Sequence, residues 1–270
     1  FGAKSGSKID FFIFCFLLIF YLFFNSFWLP EGRKLSPKSS FLGMFFKAIF
    51  PKSENIDTDT SNNIKSLFSL LFIFIAVCMT LTATTELGTQ QWLQPLLEKS
   101  GANPMLILAM TTGIMAVGRY FAGPIVHKLN PIGVLFMSAI VSTVAIYFMS
   151  IADGTALYGA AILFAFGVCY FWPTMIGFVA EYIPKTGALG MSLVGGMGMF
   201  ATGIWNPIIG SWIDTNTKNA LESGLSQDLA EVVAGKATLA NMTYFPLILI
   251  VFFGILFINR KKLEKLRING

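Results

Sequence analysis

From Ser66 to Thr85 the chain runs 20 residues without a charged side chain. Wound as a helix at about 1.5 Å per residue, that run reaches about 30 Å, the thickness of the hydrocarbon layer of a bilayer. Apolar stretches of similar length recur along the chain, which fixes the solvent as lipid. Composition agrees: the chain is 55% hydrophobic and 12% charged, with 28 Phe against 14 acidic residues, more apolar surface than a water-soluble globule of 270 residues can bury. In lipid each backbone N–H and C=O needs a partner within the protein, so spans are helices or closed barrels. Barrel strands alternate, whereas Phe11 to Leu18 is apolar without a break, so the spans are helical. The pattern predicts seven, near Asp10–Trp28, Ser66–Gln91, Pro104–Val126, Pro131–Ala152, Thr155–Tyr182, Ala188–Ile213 and Met242–Ile258.

Basic residues orient these spans. Thirteen fall in the first connection, in the tail and at Lys128 and Lys185; Lys4, Lys8, Lys99, Lys218 and Lys236 fall on the other side. The richer side is expected to be cytoplasmic, giving a multi-pass protein of the cell inner membrane. The net charge of +5 is thereby explained by topology and leaves no nucleic-acid partner to account for. Cys15, Cys78 and Cys169 lie within spans, and His127 is the one histidine. Neither a disulfide framework, a metal site, a cofactor nor a catalytic triad is suggested, and no enzyme activity is expected.

Residues 30–65 break the pattern with Pro37, Pro51, basic residues and the polar tract Ser53–Asn63, and read as a cytoplasmic linker. Within it Phe41–Phe50 reads as an interfacial helix. The expected organisation is residues 1–29 as the last helix of a preceding half, 30–65 as linker, 66–258 as a six-helix bundle and 259–270 as a cytoplasmic tail. Asp214–Asn241 is expected to be an external loop holding a short helix near Gln227–Val233. Six spans after a basic linker are half of a twelve-span architecture, whose front spans would lie in a missing N-terminal half.

Three stretches carry a family likeness. Gly118-Arg119-Tyr120-Phe121-Ala122-Gly123-Pro124 through Pro131 resembles the cytoplasmic loop signature of the major facilitator superfamily as it recurs in the second half. Tyr170-Phe171-Trp172-Pro173-Thr174-Met175 is similar to the aromatic-Pro-Thr element in the tenth helix of the fucose/proton symporter-like sugar permease branch, and Thr84 through Trp92 looks like its seventh helix. The resemblance implies an all-α membrane fold, the C-terminal six-helix half of that superfamily plus one preceding helix. It departs at His127, where the signature carries an acidic residue, so an Asp-based charge lock is not implied. The proton-carrying carboxylates of that branch lie in the front half, so the resemblance assigns no such role here.

Several residues stand out as site candidates. Glu86 is a carboxylate in an apolar span, which faces either a cavity, where it would handle protons or a polar solute, or solvent at the outer rim. Counted from Lys65 along a straight helix it lies about 30 Å on, in the outer half. Gln90, at i+4, would extend it into a polar stripe, with Gln91 and Gln94 sharing its surroundings. Trp92 and Trp172 offer ring faces for sugar C–H surfaces, the alternative for Trp92 being the outer aromatic belt. Pro173 frees the carbonyl of Cys169 and bends its helix, as a cavity wall or as a plain kink. Asn206-Pro207 is a second candidate break, with Asn206 a hydrogen-bonder. Arg119 and Lys128 read as an inner gate, Arg119 reaching the carbonyls of a neighbouring helix end, or as residues snorkelling to headgroups. Gly118, Gly123, Gly190, Gly195, Gly196, Gly198 and Gly203 give small faces for close helix approach.

The expected function is secondary active transport of a small polar organic solute, a sugar or sugar derivative, by alternating access, with protons as the candidate coupling ion. The alternative is a non-transporting multispan scaffold or an intramembrane enzyme, although one in-span Glu and no in-span His make a poor catalytic set. A channel would need rings of like side chains, which the pattern lacks. Reporters fused at residues 31–64 and at the tail should lie in the cytoplasm and one at Lys218 outside; a cytoplasmic reporter at Lys218 would overturn this topology.

Overall fold

Three of the described helices begin where a side chain caps otherwise unpaired N–H groups. The computed structural model describes residues 60–97, 101–121 and 130–269, and of 60–63, 94–96 and 265–269 the backbone alone. The expected first span, almost all of the linker, His127 and Lys128 lie outside the described residues. Helix α1 (Thr60–Leu67) turns what was expected to be the end of the linker into helix and packs on the turn Pro184–Thr186. At Ser69 the side chain accepts from the Phe72 N–H and opens α2 (Leu70–Ala83). A π-helical turn, Thr84–Gly88, then leads into α3 (Thr89–Leu97).

Asn103 accepts from the N–H groups of Met105 and Leu106, with Pro104 at the first position of α4 (Pro104–Tyr120). Asn130 does the same for Ile132, ahead of Pro131 and α5 (Pro131–Ile151). Proline at this position lacks an N–H that would have gone unpaired and has its φ already set for the helix. Then come α6 (Ala156–Val168), α7 (Phe171–Tyr182), α8 (Gly187–Glu222), α9 (Gln227–Met242), α10 (Tyr244–Ile258) and the tail helix α11 (Arg260–Asn269).

Among the described residues, five helical stretches are long and apolar enough to cross a membrane: Leu70–Leu93, Pro131–Ile151, Ala156–Tyr182, Pro184–Glu222 and Gln227–Ile258. Helix α4 is apolar but shorter. No strand occurs among the described residues. The fold is that of an all-α, multispan membrane protein; the first four of the six stretches fall close to where spans were expected, and the last two extend well beyond theirs.

Helix α5 is the hub, in contact with α6, α7, α9 and α10, while α2 packs against α7, α8 and α10. Phe164, Phe171, Phe178 and Phe253 fill the centre, fully buried. Bulk there is matched by absence of bulk at the seam between α5 and α6. A Cβ on Gly167 would stand 2.7 Å from the Ser142 backbone nitrogen and 2.8 Å from its Cα, so these two backbones approach as only glycine allows.

One sequence expectation fails. A helix does begin at Gln227, as expected, but it runs on to Met242 while α8 continues to Glu222, so residues 223–226 are all that remain of the loop expected over Asp214–Asn241. The 36 residues of α8 make about 54 Å of helix, well beyond an apolar layer of about 30 Å. Buried Ala220, Ala230 and Ala234 let the two helices approach closely, and Asn216 donates from Nδ2 to the Thr238 hydroxyl at 3.1 Å. Nor does Pro207 interrupt α8, although it withholds the N–H that would have paired with the Gly203 carbonyl.

The close seam yields a test. Gly167→Ala should destabilise by roughly 1 to 3 kcal/mol, because the methyl meets backbone that has no free end to move. Gly159→Ala, on the same helix with nothing within 4 Å, should be neutral or stabilise by up to about 1 kcal/mol. Thermal unfolding in detergent, followed by a thiol-reactive dye, would check both, since Cys78 and Cys169 are buried; a Cys15→Ser background removes the third thiol.

Candidate functional site

Threonine prepares the site. In the run from Thr80 to Thr85 the hydroxyls of Thr80, Thr82, Thr84 and Thr85 donate back to the carbonyls of Val77, Met79, Thr80 and Leu81 at 2.8 to 3.0 Å. Such back-bonding competes with the helix ladder and bends helices. The ladder widens directly after it, in the π-turn Thr84–Gly88, which carries one more residue per turn and re-aims the side chains beyond it. Glu86 sits at the centre of this turn, 3% exposed.

Its partner comes from α4. Arg119 donates from Nη2 to Glu86 Oε1 at 2.5 Å, and its Nε–H donates to the Cys169 carbonyl at 3.0 Å. Cys169 lies in the break between α6 and α7, four residues before Pro173, and its carbonyl is the one whose ladder partner proline removes. The Cys169 thiol in turn donates to the Met115 carbonyl at 3.5 Å. Gly118 lets α4 come this close, since a Cβ there would stand 2.6 Å from Cys169 Sγ. Three spans thus meet at one guanidinium: a π-turn supplies the carboxylate, a proline break the carbonyl, and α4 the cation. The Arg119 side chain keeps 38% of its surface open. Glu86 Oε2 is buried with no hydrogen-bond partner, and so are the hydroxyl oxygens of Thr89 and Thr174.

Glu86 is not solvated at an outer rim; it is enclosed against Arg119, where α6 and α7 break. Counted from Leu70, where the span begins, Glu86 lies about 24 Å along the helix. Arg119 reaches a freed carbonyl, the one Pro173 releases. Lys128, its expected companion, lies outside the described residues, as does the side chain of Gln94.

A second polar group forms where α3 meets α8. The Asn206 amide is used at both ends: its Nδ2 donates to Gln91 Oε1 at 2.9 Å, and its Oδ1 accepts from the Trp92 indole N–H at 3.2 Å. The Trp92 ring lies against Gly210, and Gln91 is exposed. Gln90 turns elsewhere, its amide nitrogen 3.0 Å from Met115 Sδ, so Glu86 and Gln90 do not form one stripe. Trp172 lies against Gly198, where a Cβ would be 2.9 Å from the ring and 2.8 Å from Met79 Cε. Gly195, Gly196 and Gly203 have no neighbour within 4 Å of a Cβ, so those three glycines are not at a close helix seam in this unit.

Sequence reasoning named Glu86 and Arg119 but not their union. The signal was present: they are one carboxylate and one guanidinium, each within an apolar span, and charges at that depth pair with one another. The π-turn left a weaker trace, the threonine run ahead of it. No family model, no curated protein and no solved structure matches the chain.

The pair predicts its own thermodynamics. Arg119→Met should destabilise by roughly 1 to 3 kcal/mol, since it leaves Glu86 buried without its donor, a cost moderated by the partial exposure of the guanidinium. Glu86→Leu combined with Arg119→Met should recover most of that loss, because the lone buried charge is gone. Unfolding midpoints of Arg119→Met, Glu86→Leu, the double variant and the wild type decide it; additive losses would show that the two side chains are not coupled.

Proposed function

We propose that this chain is the C-terminal part of a secondary active transporter of the major facilitator superfamily, moving a small polar organic solute by alternating access. The observation that carries this reading is the Glu86–Arg119 pair at the meeting of two discontinuous spans. Charges and broken helices within an apolar layer are costly, and transporters use them where solute and coupling ions bind. A scaffold gains nothing from such a pair, and an intramembrane enzyme would need a nucleophile or a second acid beside it. One long face of α8 supports the same reading: Met199, Phe200 and Ile204 are exposed there, and Gly195, Gly196 and Gly203 meet no neighbour, as on a surface along which another half could slide.

A sugar or sugar derivative is the solute class we favour. Trp92 and Trp172 supply ring faces, and Gln91, held by Asn206, offers its amide nitrogen for hydroxyl groups. Protons are the coupling ion we favour, with Glu86 as the residue to test. The protein would work in the cell inner membrane together with an N-terminal half.

In proteoliposomes holding the full-length transporter, Glu86→Gln should abolish accumulation driven by a pH gradient while leaving solute exchange intact, because exchange needs binding and reorientation but no net proton movement. Loss of exchange too would place Glu86 in solute binding, where a lost charged acceptor costs roughly 1.5 to 3 kcal/mol, about tenfold to a hundredfold in affinity. The wild-type protein showing no saturable flux for any of a panel of sugars, amino sugars and sugar acids would overturn the reading.

A further inference from the structure

Helix α10 shows its outward face along its whole length. Leu247, Val251, Ile255 and Ile258 recur at intervals of three and four and are all exposed, the last by 81%. A stripe of that kind on a span faces acyl chains. It stops abruptly. The next exposed residues after Asn259 are Arg260, Lys261 and Lys262, at the start of α11.

The other side of α11 is held fast. Leu263 is buried, and Glu264 Oε1 accepts from Asn130 Nδ2 at 3.0 Å. Asn130, at φ 63° just ahead of α5, also accepts from the Tyr182 hydroxyl at 3.2 Å, so the tail is tied to the start of α5 and the end of α7. Arg260 is set at the level of the span's last turn, its guanidinium 4.3 Å from the centre of the Phe257 ring. The three cations therefore stand at a fixed place, at the end of an acyl-facing stripe, where a bilayer places its phosphates.

We propose that Arg260, Lys261 and Lys262 seat the headgroup of an acidic phospholipid whose chains lie along the α10 stripe. Positive charge beside a span attracts anionic lipid, each cation contributing roughly a fivefold gain in association, so three give about a hundredfold. The planar guanidinium of Arg260 suits two phosphate oxygens at once, while the lysines act as point charges. This site is independent of the transport reading.

The test uses the purified full chain in neutral detergent, with phosphatidylglycerol and phosphatidylcholine of identical chains. Native mass spectrometry should show phosphatidylglycerol retained at least tenfold better than phosphatidylcholine, and phosphatidylglycerol alone should raise the unfolding midpoint. Substituting Arg260→Gln, Lys261→Gln and Lys262→Gln together should remove the preference. Lys65→Gln with Lys185→Gln, which takes exposed charge from elsewhere on the expected cytoplasmic side, should keep it. Should the triple variant not fold, Lys261→Gln and Lys262→Gln singly carry the comparison, each lowering retention roughly fivefold. Equal retention of the two lipids, or an undiminished preference in the variants, would overturn the proposal. So would inorganic phosphate displacing the lipid at equimolar concentration, which would mark a free-anion site.

Discussion

A guanidinium inside an apolar layer needs acceptors that ordinary helices do not offer, because their carbonyls are already paired. The fold meets that need by breaking its own ladders at the right depth. Pro173 withholds an N–H, which leaves the Cys169 carbonyl for Arg119 Nε, and the π-turn at Thr84–Gly88 brings Glu86 to the other side of the same guanidinium. Neither irregularity would be stable alone: a freed carbonyl and a carboxylate in lipid each cost several kcal/mol without a partner. Together with Arg119 they satisfy one another, so the three spans are bound to a common depth and register.

Small residues make that meeting reachable. Gly118 removes the side chain that would hold α4 away from Cys169, and Gly167 does the same for α6 against α5. The proximity of α4 to the α6–α7 break is thus set by backbone approach, while the large core side chains, Phe164, Phe171 and Phe178, fill the space these close seams leave between them. Without water to drive apolar groups together, closeness of this kind is what van der Waals packing in a membrane rewards.

Much of the bundle was legible because hydropathy and caps act locally. Asn103-Pro104 and Asn130-Pro131 announce helix starts within a few residues, and the structure begins α4 and α5 there. What was not legible depends on phase and partnership. Glu86 and Arg119 were assigned to different ends because depth was counted along each helix separately, and such a count does not show which side chain of a neighbouring helix a residue meets. The α8–α9 arms were mistaken for a loop because their seam is made of alanine. Ala220, Ala230 and Ala234 bury little surface, so hydropathy sees polar sequence where geometry sees close contact.

Those arms also have a mechanical meaning. Helix α8 is pinched near Gly198 between Met79 and the Trp172 ring, and from there 24 residues, about 36 Å, run to Glu222. A tilt of about 10° about that pinch would carry the far end by about 6 Å while hardly displacing the side chains beside Gly198. Were the zipped hairpin to turn as one body, a shift too small to resolve at the Trp172 contact would become, at Glu222, a change on the scale of a whole helical turn.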